Sequence, residues 1–325
     1  MNPVLVWGIN FISGIQAAAP WLRGPMTFFS FLGNEEFFIL FLPLLYWCVD
    51  ARLGLRVGII LSVSGSLSTF FKLAFHTPRP YWVSTQVQAM SSELSYGLPS
   101  GHAQHAASIW GTVGAAGRGW LRWAMIALIF LIGFSRIVLA VHFPTDVLLG
   151  WLIGGLVLWA FLHWEAPVLA WFNRRTLGWR IGFAFAASIL LIAIALAGSV
   201  FLPPTDPPEW EANAARAFPP AAGEPAINPR DMGGTVGIAG VFFGLVTGAT
   251  LLLERTTFDG KSQGWRRLLR YVLGAAGVAI IWLGLRMIFP RDASLPSQVL
   301  RYLRYALAGF WMGYGAPWVF IRLKL

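Results

Sequence analysis

Three short polar segments of the chain combine residue types that bind and transfer phosphate. Their candidate residues are, in chain order, Lys72, Arg79, Ser100, Gly101, His102, Arg136, His142 and Asp146. Lysine and arginine supply charge-assisted hydrogen-bond donors to phosphate oxygens, and the planar arginine fork can bind two oxygens at once. Three cations beside two histidines and one aspartate therefore predict a site for an anion.

Two prolines place parts of this site at the beginnings of helices. Pro99 suits the first position of a helix, so the backbone amides of residues 100–102 are expected among its unpaired donors, where phosphate binds. Pro144 marks another helix start, with His142 just outside the helix and Asp146 in its first turn. Asp146 is then able to reach back to the imidazole, fix its tautomer and raise its nucleophilicity.

The composition identifies the elements that position these residues. Of 325 residues, 57% are hydrophobic and only 12% are charged, about half the charged share of a soluble protein. The mean hydropathy is +0.64. A soluble globular fold, a disordered chain and a coiled coil are excluded, and an all-α polytopic membrane protein is predicted. The single Cys48 cannot form an intrachain disulfide.

Apolar runs long enough to cross a bilayer predict about nine spans. They lie near residues 36–50, 53–75, 100–117, 120–141, 144–164, 181–202, 233–254, 268–289 and 300–322. The first is short because Glu35 and Glu36 interrupt it. Residues 1–32 are interpreted as an interfacial N-terminal segment, 33–165 as the catalytic core and 166–325 as additional membrane helices.

The polar connections and the basic residues predict the topology. Most polar residues fall in 76–99, 165–180 and 203–232, and the last segment has eight prolines, so it is expected to be an extended acidic loop. If nine spans alternate across the bilayer, fourteen basic residues lie on one side. The other side has seven basic residues in addition to the three cations of the candidate site. The basic side is then cytoplasmic, and the site faces outward from the inner cell membrane. The net charge of +10 is explained by this bias, so a nucleic-acid partner is not expected.

The three segments resemble the signature of a known family. Lys-x6-Arg-Pro, Pro-Ser-Gly-His and Ser-Arg-x5-His-x3-Asp are similar to the motifs of the type 2 phosphatidic acid phosphatases, the lipid phosphate phosphatase superfamily. All eleven fixed positions are present and in order, and the resemblance covers about residues 33–165.

The resemblance implies a role for each candidate residue. His142 is expected to attack phosphorus, with Asp146 orienting it, while His102 protonates the leaving alkoxide and then activates water. The oxygens of the transferred phosphoryl group are expected to be held by Lys72, Arg79, Ser100, Gly101 and Arg136. No metal or other cofactor is expected. A metal site of His102 and His105 with His142 and Asp146 is the weaker alternative, because three cations converge on the same pocket.

The expected substrate is a lipid phosphate or lipid pyrophosphate, whose tail remains among the membrane lipids while its head group enters the site. Two alternatives stay open: transfer of the phosphoryl group to an acceptor other than water, and lipid transport. The 203–232 segment is expected either to connect two spans or to cover the site, with Trp210 and Phe218 contacting substrate. The sequence does not indicate the oligomeric state.

Overall fold

The protein is α-helical throughout the part of the chain that the computed structural model describes, residues 2–261, 263–290 and 292–325. This confirms the predicted all-α class. The helices are α1 Pro3–Ala18, α2 Arg23–Phe31, α3 Glu35–Cys48, α4 Ala51–Phe75, α5 Pro80–Val83, α6 Gly101–His105, α7 Gly111–Ala116, α8 Trp120–Val138, α9 Pro144–Asn173, α10 Leu177–Ala197, α11 Pro208–Ala217, α12 Gly233–Leu253, α13 Trp265–Ile288, α14 Leu295–Phe310 and α15 Ala316–Arg322.

Six helical segments among the described residues are long and apolar enough to cross a membrane. They are Ala51–Val83, Trp120–Val138, Pro144–Asn173, Leu177–Phe201, Gly233–Leu253 and Trp265–Ile288. A seventh is added if Pro3–Ala18 and Pro20–Phe31, which meet at a bend of 91°, are counted as one broken span. The predicted count of nine spans is therefore not confirmed, and the interfacial location of the N-terminal segment stays a prediction.

Three predicted spans, near residues 36–50, 100–117 and 300–322, are not among these six segments. α3 has 14 residues and begins with Glu35 and Glu36, less than the roughly 20 residues that a crossing requires. The π-helical turn Ala106–Trp110 joins α6 to α7, and a second one, Trp311–Gly315, joins α14 to α15, with the backbone helical through both turns. A hydropathy pattern does not reveal such local changes of the helical hydrogen-bond ladder.

Two predicted connections contain more helix than expected. The predicted extent of the 165–180 connection is wrong, since α9 continues through Pro167 to Asn173. A proline is tolerated inside a membrane helix whose neighbours satisfy the freed carbonyl. The 203–232 segment is likewise not extended throughout, because α11 spans Pro208–Ala217. Pro208 occupies the first turn, where no amide donor is needed, and Glu209 and Glu211 complement the helix dipole.

The chain divides into two compact units. One contains the chain up to Asn34, Leu67–Leu158 and Ala195–Asp231, and includes all eight predicted site residues. Within it, α2 packs on α8, and α5 packs on α11. The other contains Glu35–Ser66, Trp159–Ile194 and Met232–Leu325, with α12 packed along α14.

Candidate active site

His142 lies in the short turn between α8 and α9 and is only 1% exposed. Its Nδ1 atom is 3.3 Å from Oδ2 of Asp146, which also accepts a hydrogen bond of 2.9 Å from the amide of Phe143. Because a carboxylate oxygen accepts, Nδ1 carries the ring proton and Nε2 keeps its lone pair. The helix start at Pro144 and the approach of Asp146 to the imidazole confirm the local geometry predicted from the spacing.

Arg79 is directed at the free nitrogen of this imidazole. Its Nη1 atom lies 3.1 Å from Nε2 of His142 and donates to the carbonyl of Val141 at 2.9 Å. Burial, followed by repulsion from Arg79 and Lys72, lowers the pKa of His142 well below its ordinary value. The ring is therefore neutral at neutral pH, as a nucleophile requires, and faces a guanidinium that can hold an anion.

The first two cations converge on one turn of the 84–100 loop. Lys72 donates to the carbonyl of Tyr96, and Arg79 donates to that carbonyl at 3.3 Å and to the carbonyl of Ser95 at 2.6 Å. A Cβ atom built on Gly101 would lie 3.9 Å from Cε of Lys72. The first two sequence motifs therefore meet here, as predicted.

Ser100 caps a helix, which corrects one sequence expectation. α6 begins at Gly101, so Pro99 precedes the N-cap and does not occupy the first helical position. The Ser100 hydroxyl accepts from the amide of Ala103, and the Ser100 amide donates to the carbonyl of Asp146 at 2.9 Å. That amide is therefore not an unpaired donor, because it joins the second motif to the third.

His102 has a partner that the motifs do not contain. Its Nε2 atom lies 2.7 Å from Oδ1 of Asn34, in the connection between α2 and α3. The backbone at Gly33 lies close to the imidazole of His102, since a Cβ atom built on Gly33 would lie 2.8 Å from Cδ2 of that ring. With the amide oxygen accepting, Asn34 fixes the proton on Nε2 and orients the ring. No pattern in the sequence pairs positions 34 and 102.

Arg136 is 1% exposed and lies in the last turn of α8. It donates to the hydroxyl of Ser30 and forms an ion pair with Glu93, whose carboxylate also lies 3.6 Å from Nη2 of Arg79. Burial raises the pKa of Glu93, but the attraction of Arg136 and Arg79 outweighs it and lowers the pKa to about 2. The sequence motifs did not identify Glu93, a charged anion that engages two of the predicted phosphate-binding arginines.

We expect the Glu93→Gln substitution to strengthen inhibition by inorganic phosphate about tenfold, since phosphate no longer competes with a carboxylate for the two arginines. Because the folded pKa of Glu93 lies far below neutrality, the carboxylate is charged from roughly pH 5 to 8, and the difference in Ki should be constant over that range. Glu224→Gln, at an exposed position, is the matched control. A weaker inhibition by phosphate in Glu93→Gln would mean that Glu93 chiefly holds Arg136 in position.

The alternative metal site gains no geometric support. Among the residues that the structure describes, no three or more His, Cys, Asp or Glu side chains converge as a metal-binding group. The set of His102, His105, His142 and Asp146 is thus not brought together as ligands.

The segment 203–231 packs on the loop that surrounds the cations. Asp206 accepts from the Tyr96 hydroxyl at 2.7 Å, and Asn213 donates to the carbonyl of Trp82 at 2.9 Å. The ring of Trp210 lies 6.1 Å from that of Trp82, three residues beyond Arg79. Trp210 thus packs beside the site, and its predicted contact with substrate stays a prediction.

Two family models match the chain. Residues 53–170 match the PAP2 superfamily, and residues 236–325 match a model described as PAP2 superfamily phosphatase, transmembrane extension. Together they cover more than half of the sequence. The chain belongs to the PAP2 superfamily. It is a membrane phosphatase, and the second match assigns most of its C-terminal helices to an extension known in PAP2 phosphatases.

Relatives of this PAP2 phosphatase carry different substrate names. It is 26% identical over 270 residues to glucose-6-phosphatase 3 of Bos taurus, covering 73% of this chain and 75% of the relative. It is 31% identical over 150 residues to sphingosine-1-phosphate phosphatase 2 of Homo sapiens, covering 42% and 37%. A PAP2-type phosphatidylglycerolphosphate phosphatase structure from Bacillus subtilis matches at 23% identity and a TM-score of 0.41, covering 49% of this chain and 86% of that one.

Proposed function

We propose that this protein hydrolyses a phosphate monoester through a phosphohistidine formed at His142. The Nε2 lone pair attacks phosphorus and the bond from phosphorus to the leaving oxygen breaks. In this proposal His102 enters the step protonated on both ring nitrogens, gives its Nδ1 proton to the leaving oxygen and keeps its Nε2 proton on Asn34. Water that has given a proton back to His102 then attacks the phosphohistidine, which releases inorganic phosphate and restores both histidines. The observation that carries the proposal is the contact of Nδ1 with Asp146 and of Nε2 with Arg79 on opposite sides of one ring.

Positive charge from the protein stabilises the transferred group in this proposal. Lys72, Arg79 and Arg136 bind the phosphoryl oxygens, and Ser100 and Gly101 border them at the start of α6. Support comes from the carbonyl of Tyr96, to which both Lys72 and Arg79 donate, and from Glu93, whose carboxylate lies within ion-pair distance of both Arg79 and Arg136. These three cations supply the charge stabilisation, so the proposal assigns no step to a metal or cofactor.

The substrate we propose is a lipid phosphate or lipid pyrophosphate. Arg136 lies in the last turn of α8 and Asp146 in the first turn of α9, so the site lies at the ends of two helices long enough to cross the membrane. A head group can bind there while its tail stays among the lipids. A water-soluble sugar phosphate is the second candidate, because the bovine relative named for glucose 6-phosphate aligns with 73% of this chain.

The extracytoplasmic face is also part of the proposal, and it no longer depends on a count of nine spans. α8 begins between Arg118 and Arg122 and ends beside the site, whereas α9 begins beside the site and ends at Arg174 and Arg175. Both helices thus have arginines at the end opposite the site. From the positive-inside bias we infer a site on the extracytoplasmic face of the inner cell membrane.

A phosphate-release assay tests the proposed substrate. Full-length protein in detergent or nanodiscs is given phosphatidic acid, sphingosine 1-phosphate, a prenyl pyrophosphate and glucose 6-phosphate, with excess EDTA and with His142→Ala as the blank. We expect at least about a tenfold higher kcat/KM for a lipid substrate, since a tail held in the bilayer reduces the entropic cost of binding. Faster hydrolysis of glucose 6-phosphate would instead support the second candidate, and ¹⁸O-labelled water appearing in the released phosphate would distinguish hydrolysis from transfer to another acceptor.

A further inference from the structure

A cavity of about 190 Å³ lies in the C-terminal unit, where α13 ends and α14 begins. Three arginines contribute to its lining, Arg286 from α13 and Arg301 and Arg304 from α14, together with Trp282 and Tyr305. None of these residues is part of the His142 site. The cavity is large enough for a phosphate group and a few attached atoms, and its aromatic and proline surfaces suit the apolar part of such a group.

The three arginines have no acidic partner in the described part of the chain. Arg286 lies over the ring of Trp282 and Arg304 over that of Tyr305, each at 5.2 Å, and no ion pair within 4.0 Å involves any of the three arginines. Arg304 is only 7% exposed, and its Nε atom is buried with no hydrogen-bond partner among the described residues. A buried donor of this kind is costly unless a ligand satisfies it.

Nearby carboxylates do not neutralise the cluster. Asp292 is bound at the start of α14 instead, with its Oδ1 atom accepting from the amide of the N-cap residue Ser294 and from the hydroxyl of Ser297, both at 2.8 Å. Glu35 lies close enough to Arg301 for their charges to interact, but no ion pair within 4.0 Å is formed. Three guanidinium groups therefore line one cavity, and none of them forms an ion pair within 4.0 Å with a described carboxylate.

We propose that this cavity is a second anion-binding site, which takes a phosphate group through Arg286, Arg301 and Arg304. Phosphate matches the planar donor pairs of arginine, and the oxygens of one phosphate can accept from several guanidinium groups at once. The phosphate belongs either to a membrane lipid head group or to a soluble phosphate. Both sources share this chemistry, and the experiment below separates them.

The test uses the full-length protein with the substitutions Arg286→Gln and Arg301→Gln. Arg286 is exposed and Arg301 half-buried, so both variants should fold. Arg322→Gln is the matched control, because Arg322 lies over Trp318 at 5.2 Å in the same unit but does not line the cavity. For native mass spectrometry, the protein is released from nanodiscs that contain phosphatidylcholine and phosphatidylglycerol. The phosphatidylglycerol that stays bound to the protein is then measured. Thermal unfolding in pure phosphatidylcholine nanodiscs measures stabilisation by inorganic phosphate.

We expect each cavity variant to bind its anion about tenfold more weakly than the wild type, and Arg322→Gln to bind as the wild type does. Loss of phosphatidylglycerol retention identifies a lipid head group, and loss of stabilisation by phosphate alone identifies a soluble ligand. Phosphate binding at the His142 site is common to all variants and cancels in the comparison. Equal binding by the wild type and both cavity variants, or an equal loss in Arg322→Gln, would overturn the proposal.

Discussion

Substitution of His142 by alanine is expected to lower kcat by at least about 10⁴-fold, the scale seen when a nucleophile that works with its partners is removed. The imidazole of His142 contacts Asp146 through Nδ1 and Arg79 through Nε2. The measurement is initial phosphate release from the preferred lipid phosphate. The variant removes a 1% exposed ring, so its folded state must be checked by thermal unfolding in the same detergent.

The control for this variant is His163→Ala. His163 stacks on Trp159 in α9 at 5.7 Å and belongs to the other compact unit. Its loss should leave kcat within about threefold of the wild type, since His163 is not among the residues assigned to the reaction. A base-quenched reaction with ³²P-labelled substrate should trap labelled protein in the wild type and none in His142→Ala. Labelled His142→Ala protein would show that another residue is the nucleophile.

The second large effect is expected for Arg79→Lys, which should lower kcat/KM by about 10² to 10³-fold, as for the loss of one preorganised donor to a developing anion. Lysine keeps the positive charge but cannot donate from two nitrogens in one plane. Arg79 uses this geometry to reach the carbonyls of Ser95 and Val141 while it faces His142. Affinity for vanadate should fall in parallel, because vanadate adopts the five-coordinate geometry of the transition state.

Arg230→Lys is the matched control for Arg79→Lys. Arg230 lies in the same unit and pairs with Asp206 at 3.3 Å, but its side chain is exposed to water. A surface pair of this kind contributes about 0 to 1 kcal/mol, so the change should leave kcat/KM nearly unaltered. If Arg79→Lys retained kcat/KM within about threefold, the assignment of Arg79 to the phosphoryl oxygens would be wrong.

The parts of the site that could be predicted from the sequence are those set by local spacing. His142 and Asp146 are four residues apart across a helix start that Pro144 marks, so a short local turn is enough to bring them into contact. Asn34 and Glu93 could not be predicted in this way. They lie in connections, and their partners His102 and Arg136 are 68 and 43 positions away, so only the folded chain brings them together.

The fold shows the same division between local and long-range information. The composition was sufficient to predict an all-helical membrane protein. This class depends only on how much apolar surface the fold must cover. The number of crossings depends on the length of each helix, which composition does not give; α3, for example, has only 14 residues. The helix α11 was hidden by its flanking prolines, although Glu209, Glu211 and Arg216 already match its two ends.

The ion pair between Glu93 and Arg136 has a consequence for the end of the catalytic cycle. When inorganic phosphate leaves, Arg79 and Arg136 would be left without an anion at almost fully buried positions, a costly state. Glu93 can take over both arginines as the product departs, so the enzyme exchanges one anion for another. Product release often limits the turnover of enzymes. The 84–100 loop would then set how fast the site empties, and the rate of turnover would depend on a residue that takes no part in the chemical steps.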